Sequence, residues 1–466
     1  MARIAVTLIM LILISGCASG RVAFNPGFKD MSDGLPGPDN PQIWRENIEV
    51  VDLDMDGLPD LIAPPPRRHR GEPPRIFLNK GNRWQETAAL GMPELNFDYG
   101  WIEAGPVNQG TYPSLFINSH ASALFILKGI SPLSWEDASH GLPASFGGRA
   151  LDVGDINNDG LLDVVATLET YGSGQKHTNV FIQTLEGWTL MKDNLPPDAF
   201  GPDIKLADFN NDGLLDIAMI LRTLKTVKDY VYLGDGGRSW RTVTGLPRGD
   251  LVTIDVADIN GDGYDDLLMI YFPPGSRLDK PAIFLGSEKG FRELPTDFPL
   301  GDYRTITAGF MDCDDRMDLV LGTPKGIEVY LQKNGSFKHA WSIETLSPPT
   351  FLKLRDMNRD GSEDIVAVFS ARDKGSIRVF ANTARCPGTR IKNISDGKTL
   401  KIDTLVKVDY TSNKVETPCL KRDGRLIPLK TQMNEYGRTW IFLPFVEEGQ
   451  YELVLGDTAK RIDLKK

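Results

Sequence analysis

The chain has 466 residues, 41% apolar and 25% charged, which excludes a disordered polymer and a polytopic membrane protein. Lysine and arginine total 52 against 63 aspartates and glutamates, and the formal charge of −11 argues against nucleic acid as a partner. With 46 glycines, 31 prolines and only 4 cysteines, many short strands joined by turns are expected rather than a disulfide-built scaffold.

Arg3 precedes an apolar run from Ile4 to Ile14, too short to span a bilayer but suited to a secretory signal. The run ends at Ser15, Gly16 and Cys17, an order that resembles a bacterial lipobox. The resemblance implies cleavage before Cys17 and a diacylglycerol on its thiol, so residues 1–17 read as a lipoprotein signal. A plain signal peptide is the alternative. Ala18 rather than Asp follows the cysteine, which by the same resemblance implies the outer membrane as destination. The protein is thus expected as a cell-envelope lipoprotein that meets the membrane through its lipid anchor.

One nine-residue pattern then recurs every 46 to 53 residues. It is intact as Asp52-x-Asp54-x-Asp56-Gly57-x-x-Asp60, Asp155-x-Asn157-x-Asp159-Gly160-x-x-Asp163 and Asp208-x-Asn210-x-Asp212-Gly213-x-x-Asp216. It returns as Asp258-x-Asn260-x-Asp262-Gly263-x-x-Asp266 and Asp356-x-Asn358-x-Asp360-Gly361-x-x-Asp364. Eroded copies at 105–113, keeping only Gly110, and at 310–318, keeping Asp312, Asp314 and Asp318, bring the set to seven. Strand cores such as Ile76-Phe77-Leu78 and Val231-Tyr232-Leu233 keep the same beat, and so does an aromatic after a turn, as at Trp84, Trp135, Trp188 and Trp240. Four short strands per repeat is the pattern of a propeller blade, so the fold class is all-β and residues 18–386 are expected to form a seven-bladed β-propeller. The seventh repeat lacks an outer strand after Phe380, whereas Gly34-Leu35-Pro36 ends a segment that matches the one ending Gly141-Leu142-Pro143. Residues 24–36 are therefore expected to pair near Val379 and close the ring.

Positions 1, 3, 5 and 9 of each intact loop carry side-chain oxygens, and position 6 is glycine, as a reversal with positive φ requires. Hard oxygens without sulfur or imidazole suit calcium and fit zinc or copper poorly. Sixteen carboxylates at these positions would repel one another without a cation, and about five structural calcium ions would bring the chain close to neutrality. A metal-free Asx-turn loop is the alternative; an EF-hand would need flanking helices and a glutamate at position 12. The pattern and its period resemble the FG-GAP and VCBS repeats, which build the integrin-type propeller. That resemblance implies calcium ligands at the five intact loops and none at 105–113.

Residues 387–466 leave the period, and alternation around Leu400 and Tyr451 predicts a small antiparallel, immunoglobulin-like β-sandwich. Cys386 and Cys419 flank its first half and are the candidate disulfide, with two free thiols as the alternative; Cys313 reads as a buried structural residue. Loops joining second and third strands leave each blade opposite the aspartate loops, and they are basic: Arg67, Arg68, Arg70, Lys176, Arg222, Lys225, Lys228, Arg277, Lys280, Arg372 and Lys374. An electropositive face for an acidic glycan or protein follows, with ordinary solvated charge as the alternative. No catalytic constellation stands out in the sequence. The expected role is therefore a non-enzymatic, calcium-stabilised binding scaffold of the envelope. A polysaccharide lyase on a calcium propeller, or a propeller lectin, are the rivals.

Overall fold

The computed structural model describes residues 27–466 except 38–43, 45–46, 67–70, 96–99, 121, 145–147, 170–175, 192–194, 196–202, 221–230, 237–238, 244, 248–249 and 371–375. Among the described residues, no helix is long and apolar enough to cross a membrane. Cys17 and the basic residues Arg67, Arg68, Arg70, Arg222, Lys225, Lys228, Arg372 and Lys374 lie outside them.

Among the described residues, seven four-stranded antiparallel sheets follow one another along the chain before the C-terminal strands. Blade 1 runs outward through Glu49–Val51, Asp60–Ala63, Arg75–Asn79 and Trp84–Thr87. Blades 2 to 6 repeat this order, with inner strands Gly100–Gly105, Leu151–Gly154, Ile204–Ala207, Leu251–Ala257 and Thr305–Gly309. The second strands read as continuous apolar runs because both of their faces are covered, and Asp266–Tyr271 and Asp364–Phe369 are buried along their whole length. Blade 7 takes three strands from Pro349–Arg355, Asp364–Phe369 and Ser376–Asn382 and its outer strand from Phe28–Asp30. Phe28 pairs with Asn382 and Asp30 with Phe380, and Met31 N–H donates to Val379 O at 2.8 Å. The expected closing strand is therefore present.

The beat of tryptophan and Gly-Leu-Pro has a packing cause. The indole N–H groups of Trp84, Trp135 and Trp188 donate to the carbonyls of Met31, Pro113 and Ala138. A β-carbon on Gly34 would stand 2.2 Å from Trp84 O, and one on Gly141 would stand 2.1 Å from Trp188 O. The turn glycine of one blade thus lets the next blade's tryptophan strand press against it. Apolar clusters are shared between neighbouring blades, and the cluster holding Ile48, Val50 and Phe77 also holds Val366 and Val379, so blade 1 packs on blade 7. Asn79 adds a hydrogen bond across the same seam, to Met357 O at 2.7 Å.

The register corrects one expectation. Gly105 pairs with Ser114 as Val51 pairs with Asp60, so the eroded second copy occupies 106–114, one residue later than expected. Ser114 stands at position 9, fully buried, and accepts from Gly129 N–H. Gly110 is then position 5, and the positive φ falls on Asn108 and Gln109.

Beyond the ring, one sheet orders Arg390–Ile391, Leu405–Thr411, Arg438–Phe442 and Lys430–Glu435. A second orders Lys398–Lys401, Thr458–Lys465, Gly449–Leu455, Cys419–Arg422 and Arg425–Pro428. Ile391, Val408, Leu420, Ile441, Leu453 and Ile462 form one buried core between them. The pairing is not wholly antiparallel, because Lys398–Lys401 runs parallel to its neighbour in Thr458–Lys465. The disulfide also differs from expectation: Cys313 bonds Cys386, with Cα atoms 5.0 Å apart, while Cys419 is free. The eroded sixth loop brings Cys313 to the start of the linker, whereas Cys419 begins a strand in the second sheet.

Candidate functional site

The aspartate loops are built mainly by their own carboxylates. Position 9 is a strut: Asp60, Asp163, Asp216, Asp266, Asp318 and Asp364 are all fully buried. One oxygen of each accepts from the N–H of position 2, for example Leu53, Phe209 and Met357 at 2.8 to 3.0 Å. The other accepts from the third strand, as at Asn79, Gly234 and Asn382. Position 1 accepts from the glycine N–H at position 6 in all five intact loops, at 2.7 to 2.9 Å. Position 5 accepts from position 7, as in Asp159 to Leu161 and Asp262 to Tyr264. These are successive Asx turns. They place Asn158, Asn211 and Arg359 at positive φ two residues before the loop glycine, which is itself at positive φ.

Burial pushes the position-9 carboxyls up, to about 8 for Asp60, Asp216 and Asp266 and well above the usual range for Asp163 and Asp364. Burial, then Glu435, raises Asp52 to about 7. Buried carboxyls of this kind favour a cation beside them. The first loop shows the best fit: oxygens of Asp52, Asp54 and Asp60 lie within 4.8 Å of one another, and Asp52 Oδ1 is buried without a partner. Lys80 already donates to Asp54 and Asp56 at the mouth of this loop. The oxygen-only donor set fits calcium, which Asp52, Asp54 and Asp60 would hold with Asp56, and the equivalent residues in the other intact loops. At the sixth loop Phe310 replaces the first ligand, and two guanidinium groups stand beside the remaining carboxylates. Arg316 pairs with Asp314, and Arg390 donates to Asp312 O at 2.7 Å and to Asp314 O.

All seven loops carry the C-terminal sheets. Glu435 accepts from Asp52 N–H, Lys430 donates to Gln109, Leu405 N–H to Asp155 and Thr399 N–H to Asn211. Lys398 pairs with Asp265 at 3.0 Å, Arg390 serves the sixth loop, and Tyr436 O–H donates to Asp356 at 2.6 Å. The loop glycines acquire a second purpose here. A β-carbon on Gly361 would meet Cys386 O at 2.4 Å, and one on Gly263 would lie 2.9 Å from Gly397 C. Part of the acidity of this face is therefore met by cations of the chain itself.

A charged belt lines the channel below. Each inner strand contributes one residue at the same register: Glu49, Glu103, Asp152, Lys205, Asp255, Thr307 and Lys353. Lys353 bonds Glu49 and stands 3.9 Å from Glu103, and Arg438 reaches down to Glu49 at 2.6 Å. Burial would raise Glu49, but Lys353 and Arg438 outweigh it and hold the carboxyl at about 2. Glu103 lies among Lys353, Glu49, Asp152 and Lys205, accepts from Asn47 and Trp101, and is pushed up by burial to about 7. Its native pKa exceeds the unfolded value, so its stabilising effect is complete at low pH and is lost as pH rises through about 7. At saturating calcium, urea unfolding should show Glu103→Gln losing about 2 kcal/mol less than wild type between pH 5 and pH 8, the rest of the fall coming from the buried Asp203 and Asp318. An undiminished fall in the variant would exclude Glu103 as a source of it.

Sequence reasoning missed the belt because its members are some fifty residues apart. A readable signal existed: a charged residue three positions before the first loop aspartate, at Glu49, Asp152, Lys205, Asp255 and Lys353. Of the predicted basic face, Arg277 is exposed, and Lys280 stands 3.4 Å from Glu293 within its own blade. Lys176 begins a described strand, with a side chain outside the described residues.

Comparison with known proteins adds three findings. Residues 208–269 match the FG-GAP-like repeat family. No curated protein matches the chain. Similar solved structures include BBS1N in complex with ARL6DN (TM-score 0.48, 13% identity, 75% of this chain and 97% of that one). They also include an Agrocybe aegerita lectin specific for non-reducing terminal N-acetylglucosamine (0.43, 13%, 76% and 94%) and the WD40 β-propeller domain of Doa1 (0.45, 14%, 76% and 97%). The ring of sheets makes the chain a β-propeller, and residues 208–269 within it match the FG-GAP-like repeat family.

Proposed function

We propose that this propeller is a non-enzymatic, calcium-stabilised binding scaffold of the cell envelope, tethered by lipid at Cys17 and engaging an acidic glycan or protein through the face opposite the aspartate loops. The observation that carries this reading is the docking of the C-terminal sheets on all seven loops, through Asp52, Gln109, Asp155, Asn211, Asp265, Asp312 and Asp356. With that face covered, the opposite face is the one left to a partner. Calcium is favoured by the oxygen-only loops and the partnerless Asp52 Oδ1.

Two measurements test the reading. Chelation should lower the melting temperature by at least about 5 °C, since each ion at a hundredfold excess over its dissociation constant contributes about 2.7 kcal/mol. An unchanged melting curve would remove calcium from the account. A glycan array run beside an assay for unsaturated uronate products should show acidic glycans retained without cleavage. Binding should weaken when Arg67, Arg68 and Arg70 are all changed to Glu. Release of unsaturated product would favour a lyase, and binding indifferent to the triple change would move the partner site elsewhere.

A further inference from the structure

We propose that the cavity between the channel belt and the C-terminal sheets is a binding site for a small aliphatic diamine. The cavity measures about 350 Å³ and is lined by the inner strands from below and by Lys407, Asp409 and Arg438 from above. That volume suits a metabolite-sized ligand. The proposal rests on the reading of this propeller as a binding protein, but on neither its calcium nor its outer partner.

Charge selects the ligand class. Glu49 is matched by Arg438, which leaves Glu103, Asp152, Asp203 and Asp255 facing Lys205 and Lys353. With all four carboxyls ionised the group is short of two positive charges, and a cation beside Glu103 would favour its ionised form. Asp203 points to where one of the two charges belongs: it is 8% exposed and lines the cavity. One of its oxygens accepts from Thr253 and Ile254, while Oδ1 has no hydrogen-bond partner. A buried carboxylate oxygen left bare is costly, and an ammonium group would satisfy it.

The walls suit an alkyl stem. Trp101 and Phe351 meet edge to face at 6.0 Å, and the protein's own Lys205 ammonium lies 5.3 Å from the Trp101 ring centre. An aromatic face that already receives one alkylammonium is a natural seat for another. A diamine would supply both missing charges across a short methylene spacer.

Calorimetry on the full chain in calcium-saturated buffer tests this, because the aspartate loops are then silent. Butane-1,4-diamine should bind, whereas butane-1,4-diol and succinate should not. Asp203→Asn should weaken the diamine by about tenfold, the loss of one charge-assisted hydrogen bond. Lys205→Gln, which vacates the seat at Trp101 and adds one net negative charge, should tighten it severalfold. A gain in that variant cannot come from misfolding. Absence of diamine binding, binding of succinate instead, or affinity unchanged in both variants with the far-ultraviolet spectrum intact would overturn the proposal. Magnesium binding in place of the diamine, lost in Asp203→Asn, would overturn it as well. A failed diamine titration leaves the chelation and glycan experiments untouched, so the two readings can fail separately.

Discussion

Asp216→Ala will destabilise the propeller by about 3 to 4 kcal/mol, because it strands two buried donors at once, Phe209 N–H and Gly234 N–H. The side chain is fully buried, so water cannot take its place. Asp216→Asn keeps one accepting oxygen and turns an amide donor toward the other N–H, so its loss should be intermediate or larger, never negligible. The measurement is urea unfolding with and without a chelator. A strut predicts that the alanine variant loses stability in both conditions. A pure metal ligand predicts that the difference disappears once the ion is stripped, and that result would reject the strut. Ser114 supplies a natural comparison, since a hydroxyl at the equivalent position serves only the third-strand donor.

Replacing Cys313 and Cys386 with serine should cost about 4 to 4.5 kcal/mol in the chain-entropy account of a cross-link between residues separated by 73 positions. The bond ties the sixth loop to the start of the C-terminal segment, so the loss should appear first as undocking of the sheets. Limited proteolysis should then release a fragment beginning near residue 387 before the propeller is cut. Peptide mapping without reduction is the decisive check, expecting Cys313 joined to Cys386 and Cys419 open to alkylation. A Cys386–Cys419 peptide would restore the pairing that sequence proximity favoured.

The parts of this molecule that repeat were legible in its sequence. The Asp-x-Asn-x-Asp-Gly period located the blades, and the match of Gly34-Leu35-Pro36 to Gly141-Leu142-Pro143 located the closing strand, because each records one local backbone requirement met many times. Features made once left no such trace. Ser114 takes over only the third-strand bond of an aspartate, so the second loop was read one residue early. Cys313 gained its partner from the geometry of an eroded loop. The docking of Arg390, Lys398 and Tyr436 on the loops and of Arg438 on the channel belt depends on how two separately read units meet. The channel belt lies between these cases, periodic in position but mixed in charge, and it escapes a search for clustered catalytic residues.

The pairing of Phe28 with Asn382 also sets a timetable. On a ribosome the first strand of the ring emerges more than three hundred residues before its partner, so it must wait as an unsatisfied edge throughout synthesis of the other blades. Contacts of such sequence separation form slowly. Exposed strand edges are the templates on which neighbouring chains aggregate. The strand that finishes the circle is short and carries Lys29 and Asp30 beside Phe28, which keeps it a poor template for strangers while it waits.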